Sequence, residues 1–193
     1  MVKVNLHLGG QKHPIVIDDS FPVDNRGHPV NAYPSDAKSG WWMPLLEKAY
    51  AKLSVNYENL DGGDGTDNMV ALRTLTGLPV DRIPASDADL AKKVSAYLKK
   101  GYAMNVYLEK NKKSALGLRP ERSYNVLGIR NATSTSSMVL LRDPWTEDFD
   151  SHYRRSLRHD TAGRVLQIPL QAFTESFEAV NIAMLDDKWN ITT

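Results

Sequence analysis

Cysteine is absent from all 193 residues of the sequence. Its absence excludes disulfide bonds, cysteine-based zinc sites and a thiolate nucleophile within these residues, and it favours an intracellular protein. Long apolar runs are also lacking, because none approaches the roughly 20 residues that a membrane-spanning helix requires. The N-terminus alternates between polar and apolar residues, unlike the apolar centre of a signal peptide. We therefore expect no transmembrane segment and no secretory signal.

A strong charge of one sign is missing too, because 24 basic and 23 acidic residues leave a net charge of +1. This balance gives no electrostatic reason to expect a nucleic acid or an anionic membrane as partner. The glycines of residues 62–65 are not followed by Gly-Lys-Ser/Thr, which excludes a phosphate-binding P-loop. The aspartates of residues 61–67 are spaced by three, unlike the alternating ligands of an EF-hand loop. We predict no cofactor.

The first part of the chain carries two regular patterns. Apolar residues alternate over residues 4–8 and resume over residues 15–17, and Gly9-Gly10 between them predicts a β-hairpin. Steps of three and four predict a helix with Pro44 in its first turn. Its apolar stripe comprises Trp42, Leu45, Leu46, Ala49, Tyr50 and Leu53, and its opposite face carries Glu47, Lys48 and Lys52. The glycine-rich residues 61–67 predict a hinge or linker.

The second part of the chain is mainly strand-like. A helix is predicted from Ser86, which can cap it, to Lys100. Short β-prone runs follow at residues 102–108, 123–129, 138–141, 165–168 and 179–185. A short helix over residues 169–177 separates the last two, and the polar residues 131–137 predict a hairpin loop. The predicted class is α+β with a mainly antiparallel second half.

Several segments, in the same order along the chain, resemble the calpain family of papain-like cysteine peptidases. The most specific is LLEKAYAK at residues 45–52, which resembles the FWxxLLEKAYAK helix of the family. The others are residues 15–25 (VVVDDxLP type), 57–63 (glycine hinge), 123–128 (HAYSVTG strand), 141–145 (LRNPWG) and 163–173 (a strand-to-helix segment). The resemblance implies that residues 1–63 form the C-terminal part of the first calpain subdomain. It assigns residues 64–193 to the second, β-rich half-barrel subdomain.

The same alignment of motifs implies that the catalytic residues are lost. Papain-like catalysis uses a Cys nucleophile, a His base and an Asn that orients the imidazole. The Cys segment is missing from this chain, Arg122 occupies the His position, and Asp143 occupies the Asn position. Arginine cannot accept a proton from a nucleophile. We therefore predict no catalytic residue, and an ion pair between Arg122 and Asp143. Thr146 also replaces the glycine of LRNPWG.

The remaining histidines and acidic residues are weaker candidates. The histidines, interpreted as solvated loop residues, are His7, His13, His28, His152 and His159. The resemblance places Glu47 on the helix that carries a carboxylate of the family's first calcium site, most of which lies outside this chain. Near the second site the sequence offers Glu147, Asp148 and Asp150. Since Ca²⁺ takes six to eight oxygen ligands, a solvated loop is the preferred interpretation.

Binding residues are sought among the tryptophans and the basic residues. Trp145 is interpreted as a core residue, with a binding role as the alternative, and Trp41 either covers a loop or is an exposed contact. Arg122 could hold an anion. The basic residues of 110–122 and 154–159 are interpreted as solvated surface, with an acidic partner, such as a tubulin-like or phospholipid surface, as the alternative.

The function predicted from these residues is a non-catalytic, calpain-like protein-binding or scaffold domain. Its partners would be other protein chains. The resemblance implies a cytoplasmic or cytoskeletal setting, including the flagellum or cilium, because flagellated protists carry many calpain-like proteins with substituted triads. A domain without the Cys segment is also expected to expose apolar surface that needs a partner. The alternative is a fragment of a calcium-dependent cysteine peptidase whose nucleophile lies on a missing segment or a partner chain. A third interpretation is a regulatory module that binds peptide in the relic of the cleft.

Overall fold

A computed structural model describes residues 1–23, 25, 41–57, 60, 65–112, 118–132, 136–144, 158–159 and 165–184 of the chain. The chain divides into two compact units. The first comprises Met1–Gly63 with Thr74–Gly77, and the second comprises Asp64–Arg73 with Leu78–Thr193. The assignment of residues 1–63 and 64–193 to the two calpain subdomains stays a prediction.

The first unit is a hairpin packed on a helix. Strands β1 (Val2–Leu8) and β2 (Gln11–Ile17) pair antiparallel around Gly9 and Gly10, which have φ values of 57° and 79°. Helix α1 (Trp42–Leu53) packs its apolar stripe on the hairpin around Leu6 and Ile17. Pro44 lies in the first helical turn, where its missing N–H costs little. The hairpin and the helix are both confirmed.

A further helix, α2 (Gly65–Thr76), was not predicted. The hinge predicted over residues 61–67 is therefore wrong for residues 65–67, and residues 61–64 lie outside the described residues. Glycine favours a loop when a segment is judged by itself, but the apolar residues after Asp67 are numerous enough to continue a helix. Gly77 follows its last residue with φ of 73°, and a Cβ there would lie 2.5 Å from the His7 ring. A glycine at this position is a helix-end signal.

The second unit is built on a seven-stranded antiparallel sheet, which confirms the α+β class. Its strands in chain order are β3 (Val80–Pro84), β4 (Ala103–Leu108), β5 (Arg122–Arg130), β6 (Met138–Arg142), β7 (Arg158–His159), β8 (Val165–Pro169) and β9 (Ala179–Ala183). In space they follow the order β3-β9-β4-β5-β6-β8-β7. The five predicted strands are β4, β5, β6, β8 and β9.

Helix α3 and strand β3 of the second unit differ from prediction, and the two-residue strand β7 was not predicted. Helix α3 (Leu90–Lys99) begins four residues after Ser86, so Ser86 is not its cap. The residues before it form turns in which the Asp87 carboxylate accepts a hydrogen bond from the Asp89 N–H at 2.8 Å. Strand β3 escaped prediction because its buried residues, Val80 and Ile83, are three apart and lie on opposite faces of the sheet.

One face of the sheet carries the main core. It is covered by α3 and by α4 (Leu170–Ser176), whose buried Leu90, Val94 and Phe173 pack against alternate strand residues. We call this the core face and the opposite one the outer face. Strand β9 is buried along its whole length. This arrangement decides which side chains of β5 and β6 can meet, and hence where the candidate site lies.

A strained residue follows α1. Val55 has φ of 83° and is 82% exposed, although β-branched residues are unfavourable in the left-handed region. We expect Val55→Gly to raise the free energy of unfolding by about 1 kcal/mol, because the relief of strain exceeds the entropy that glycine adds to the unfolded chain. Urea denaturation followed by circular dichroism measures it. Ser54→Gly, at φ of −89°, is the control and should destabilise; a lower stability for Val55→Gly would contradict the prediction.

Candidate functional site

Arg122 and Asp143 lie side by side at one end of the sheet. Arg122 is the first residue of β5, and Asp143 directly follows β6. The two strands pair antiparallel with Asn125 opposite Arg142, which brings Asp143 beside the start of β5. Arg122 Nη1 lies 3.9 Å from Asp143 Oδ2, and the side chains are 16% and 8% exposed. The predicted ion pair is therefore confirmed, whereas the assignment of these residues to the catalytic His and Asn positions stays a prediction.

The pair belongs to the core face. Alternation along β5 puts Arg122 on the same face as the buried Tyr124 and Val126, and alternation along β6 puts Asp143 on the face of the buried Leu141. A guanidinium and a carboxylate so far from water are stable only as partners, since each alone would lose its hydration without compensation.

Tyr124 fixes the backbone that leads into Arg122. Its hydroxyl accepts a hydrogen bond from the Arg119 N–H at 2.9 Å and donates one to the Arg119 carbonyl at 3.1 Å. Glu121 adopts φ of 57° and donates its N–H to the Leu108 carbonyl at 2.6 Å. Burial, together with the negative charge of Asp143, raises the pKa of Tyr124. The phenol therefore stays protonated and keeps both hydrogen bonds to the Arg119 backbone, an arrangement that we call the Tyr124 clamp.

The neighbouring Ser123 points away from the core face. Its hydroxyl donates a hydrogen bond of 2.7 Å to the Asn68 side chain on α2. Hydrogen bonds to the side chains of Ser123 and Tyr124 thus hold the start of β5 from both faces. Neither contact could be inferred from spacing along the sequence, although Tyr124 lies in the segment that resembles HAYSVTG.

The chemistry open to this arrangement is limited. A guanidinium remains protonated at any working pH, so Arg122 cannot serve as the base that a nucleophile needs. The pair can hold its position and polarise its surroundings, but it cannot carry protons between reacting groups.

The comparisons with known proteins decide the family. The model of the calpain family cysteine protease domain matches residues 1–159. The chain belongs to the calpain family. Human Calpain-7 is 31% identical over 154 residues, which cover 74% of this chain and 18% of the relative. The calpain-type cysteine protease DEK1 of maize is 28% identical over 156 residues, or 76% of this chain and 7% of the relative. The chain thus spans less than a fifth of the length of these relatives.

In this calpain domain, two tryptophans at the start of α1, Trp41 and Trp42, are both partly exposed. Trp41 is 50% exposed and stacks on Phe21, with ring centroids 5.5 Å apart. It therefore covers the neighbouring loop, which is one of the two predicted alternatives, and remains partly exposed. Trp42 belongs to the predicted apolar stripe but is 55% exposed and lies outside the cluster that packs on the hairpin. The stripe that packs on the hairpin begins with Leu45, one turn later.

The lysines of the LLEKAYAK segment are not simply solvated. Lys48 forms a salt bridge with Asp18 and also donates to the Ser20 carbonyl, while its ammonium lies 5.7 Å from the centre of the Phe21 ring. Lys52 donates to the Val16 carbonyl at 2.8 Å. The hydrogen bond from Lys48 lowers the pKa of Asp18. These lysines therefore fasten the end of β2 to α1.

Of the calcium candidates of the calpain domain, only Glu47 lies among the described residues. Trp145, Glu147, Asp148 and Asp150 lie outside the described residues, as do His28 and His152. Glu47 is half-buried, and together with Asp18 it adds to the effect of burial in raising the pKa of Tyr57. Within the described residues, no three His, Asp or Glu side chains are grouped as metal ligands. Nor does the described part contain a helix long and apolar enough to cross a membrane.

Proposed function

We propose that this calpain-family chain acts by binding other proteins, as a component of a larger assembly, and does not cleave peptides. The observation that carries the proposal is the buried ion pair of Arg122 with Asp143, at positions that the resemblance assigns to the catalytic His and Asn. The absence of cysteine from the 193 residues supports it as well. A thiolate and a proton-accepting base are both needed for papain-like catalysis.

The two losses reinforce each other. Supplying a nucleophile would leave no base to activate it, and supplying a base would leave no nucleophile. The ion pair also places two opposite charges beside each other at these positions. A site of this kind can be retained for its shape and for the contacts that it makes, although it converts no substrate.

An exposed aromatic residue supports the binding role. The binding energy of a protein interface is concentrated in a few residues, among which tryptophan is over-represented. Trp41 is half-exposed but held by Phe21, which the Lys48 ammonium contacts in turn. Such a ring loses little freedom when a partner covers it. We propose an intracellular setting, with the cytoskeleton or a cilium as the first place to look.

A peptidase assay tests the catalytic half of the proposal. We expect the purified chain, given a fluorogenic calpain peptide and excess Ca²⁺, to hydrolyse it no faster than heat-denatured chain. Arg122→His should be equally inactive, because it still lacks a thiolate. Hydrolysis that co-elutes with the native chain would contradict the proposal. Hydrolysis after addition of a calpain segment that bears the nucleophile would favour the alternative of a peptidase fragment.

The binding half is tested on the same material. Size-exclusion chromatography with light scattering, applied to the chain as purified from its own cells, should show stoichiometric complexes with defined protein partners. Trp41→Ala should deplete them, whereas Val16→Ala, at another exposed apolar residue, should not. A lone monomer without stoichiometric partners would overturn the binding function.

A further inference from the structure

The outer face of three neighbouring strands has an unbalanced charge. Strands β5, β6 and β8 read RSYNVLGIR, MVLLR and VLQIP, and contain three arginines but no aspartate or glutamate. Arg122 lies on the core face, where Asp143 neutralises it. The other two, Arg130 and Arg142, are exposed. Positive charge therefore remains on one face of these strands.

The register places both arginines on the outer face. Val139 and Leu141 of β6 are buried in the core, so Met138, Leu140 and Arg142 point the other way. Arg130 of β5 pairs with Met138 and therefore shares that face. Because Met138 and Arg142 are four residues apart on one strand, the two guanidinium groups are anchored about 13 Å apart.

A row of amide side chains leads up to Arg142. Asn181, Asn105 and Asn125 occupy consecutive paired positions on β9, β4 and β5, and Asn125 is paired in turn with Arg142. Asn181 is buried and donates a hydrogen bond of 3.1 Å to the Asn105 side-chain oxygen. Asn125 is exposed beside Arg142, and its side-chain amide can donate two N–H groups. The row thus offers hydrogen-bond donors beside an arginine.

An apolar strip separates the two arginines. Leu127, at the bulge in β5, is exposed, while Met138 and Leu140 are half-buried. Protein-binding surfaces often combine an apolar centre with charged residues at its edge. The outer face of β5 and β6 has this arrangement on a rigid, hydrogen-bonded sheet.

Several carboxylates of the second unit already have basic partners. Glu178 pairs with Arg82 and Glu121 with Lys110, as Asp143 does with Arg122. Among the residues that the structure describes, Arg142 pairs with no carboxylate, and Arg130 bonds only to the Gln167 side-chain oxygen, at 3.3 Å. These two arginines therefore leave uncompensated positive charge on this face, although the net charge of the chain is only +1.

We propose that the outer face of β5, β6 and β8 binds an acidic segment of a protein partner. One carboxylate of the segment pairs with Arg142, assisted by the Asn125 amide, and a second pairs with Arg130, while apolar side chains between them rest on Leu127. Planar guanidinium groups suit carboxylates because they can donate two parallel hydrogen bonds. The proposal rests on the binding function proposed above and specifies the class of partner.

An acidic protein segment fits this face better than other anionic partners. Anionic membranes are usually recognised by clusters of about four to eight basic residues, and nucleic acids by basic stripes that follow the phosphates. Two arginines about 13 Å apart, with amide donors and an apolar strip, form neither pattern. They match an extended chain whose acidic and apolar side chains alternate along its length.

Fluorescence anisotropy tests the proposal with a labelled oligoglutamate peptide as the probe and an oligoglutamine peptide of equal length as its neutral counterpart. We expect the full chain to bind oligoglutamate preferentially. Arg130→Glu/Arg142→Glu should weaken this binding by roughly a hundredfold, about tenfold for each lost charge-assisted contact. Arg130→Gln/Arg142→Gln removes the charges without reversing them, and it is the milder variant to use if the two glutamates prevent folding. Thermal melting confirms that each variant is folded.

The matched control is Lys92→Glu/Lys99→Glu, which makes the same change of net charge on exposed residues of α3. We expect it to change binding by less than about threefold. An equal loss in the control, or no preference for oligoglutamate, would overturn the proposal. So would tighter binding to phosphatidylserine vesicles or to a single-stranded oligonucleotide. If the Trp41-dependent complexes persist in such a case, the binding function stands and only this surface assignment fails.

Discussion

Asp143→Ala is expected to lower the free energy of unfolding by about 3 kcal/mol. The substitution leaves the Arg122 guanidinium, which is mostly buried, without the carboxylate that compensates for its lost hydration. The remaining access of Arg122 to water keeps the loss below that of a fully buried charge. Urea denaturation, followed by circular dichroism at neutral pH, measures it.

The control for this prediction is a surface pair in the same unit. Lys110 and Glu121 lie 3.5 Å apart, and both are well exposed, so Glu121→Gln should cost less than about 1 kcal/mol. Replacing both buried partners, as in Arg122→Met/Asp143→Leu, should recover most of the stability that Asp143→Ala loses. Equal, small losses for Asp143→Ala and Glu121→Gln would show that the pair contributes nothing beyond a surface contact.

Phe173→Ala is expected to have a still larger effect, about 4 kcal/mol, because it opens a cavity that the surrounding core cannot close. Phe173 is fully buried on α4, and its ring lies 4.9 Å from that of Phe177, which meets the Tyr124 ring at 6.0 Å. The three rings connect α4 to the clamp at the start of β5. Denaturation in urea gives the loss of stability, and near-ultraviolet circular dichroism reports on the aromatic packing.

The matched control for the cavity is Leu127→Ala, since Leu127 belongs to the same sheet but is partly exposed on its outer face. It should cost no more than about 1 kcal/mol. If Phe173→Ala were as mild as Leu127→Ala, α4 would not be an integral part of the core. A loss confined to the near-ultraviolet signal would point to the same conclusion.

The sequence predicted best those elements whose patterns are local. The hairpin and α1 have long, regular apolar periods, and the structure has both at nearly the predicted residues. Helix α2 escaped because it begins within the glycine-rich residues 61–67, and β3 because its two apolar residues do not alternate. In both, packing within the fold outweighs the local preference.

The candidate site was predictable only in part. Arg122 and Asp143 are 21 positions apart, and their proximity was inferred from motifs that the chain resembles; the register of β5 with β6 supplies the physical reason. The Tyr124 clamp and the Asn68 contact depend on distant or irregular backbone, for which no periodicity exists. The charge of the outer face also needed the register, because alternation alone does not reveal which residues of adjacent strands are neighbours.

The fastening of β2 to α1 has a consequence for the descent of this chain. Lys48 binds Asp18 and the Ser20 carbonyl, and Lys52 binds the Val16 carbonyl. These bonds hold together two of the segments on which the resemblance to the calpain family rests, residues 15–25 and 45–52. A substitution that removes the Asp18 carboxylate would leave Lys48 without that partner, so a change at position 18 should be accompanied in related sequences by a change at position 48.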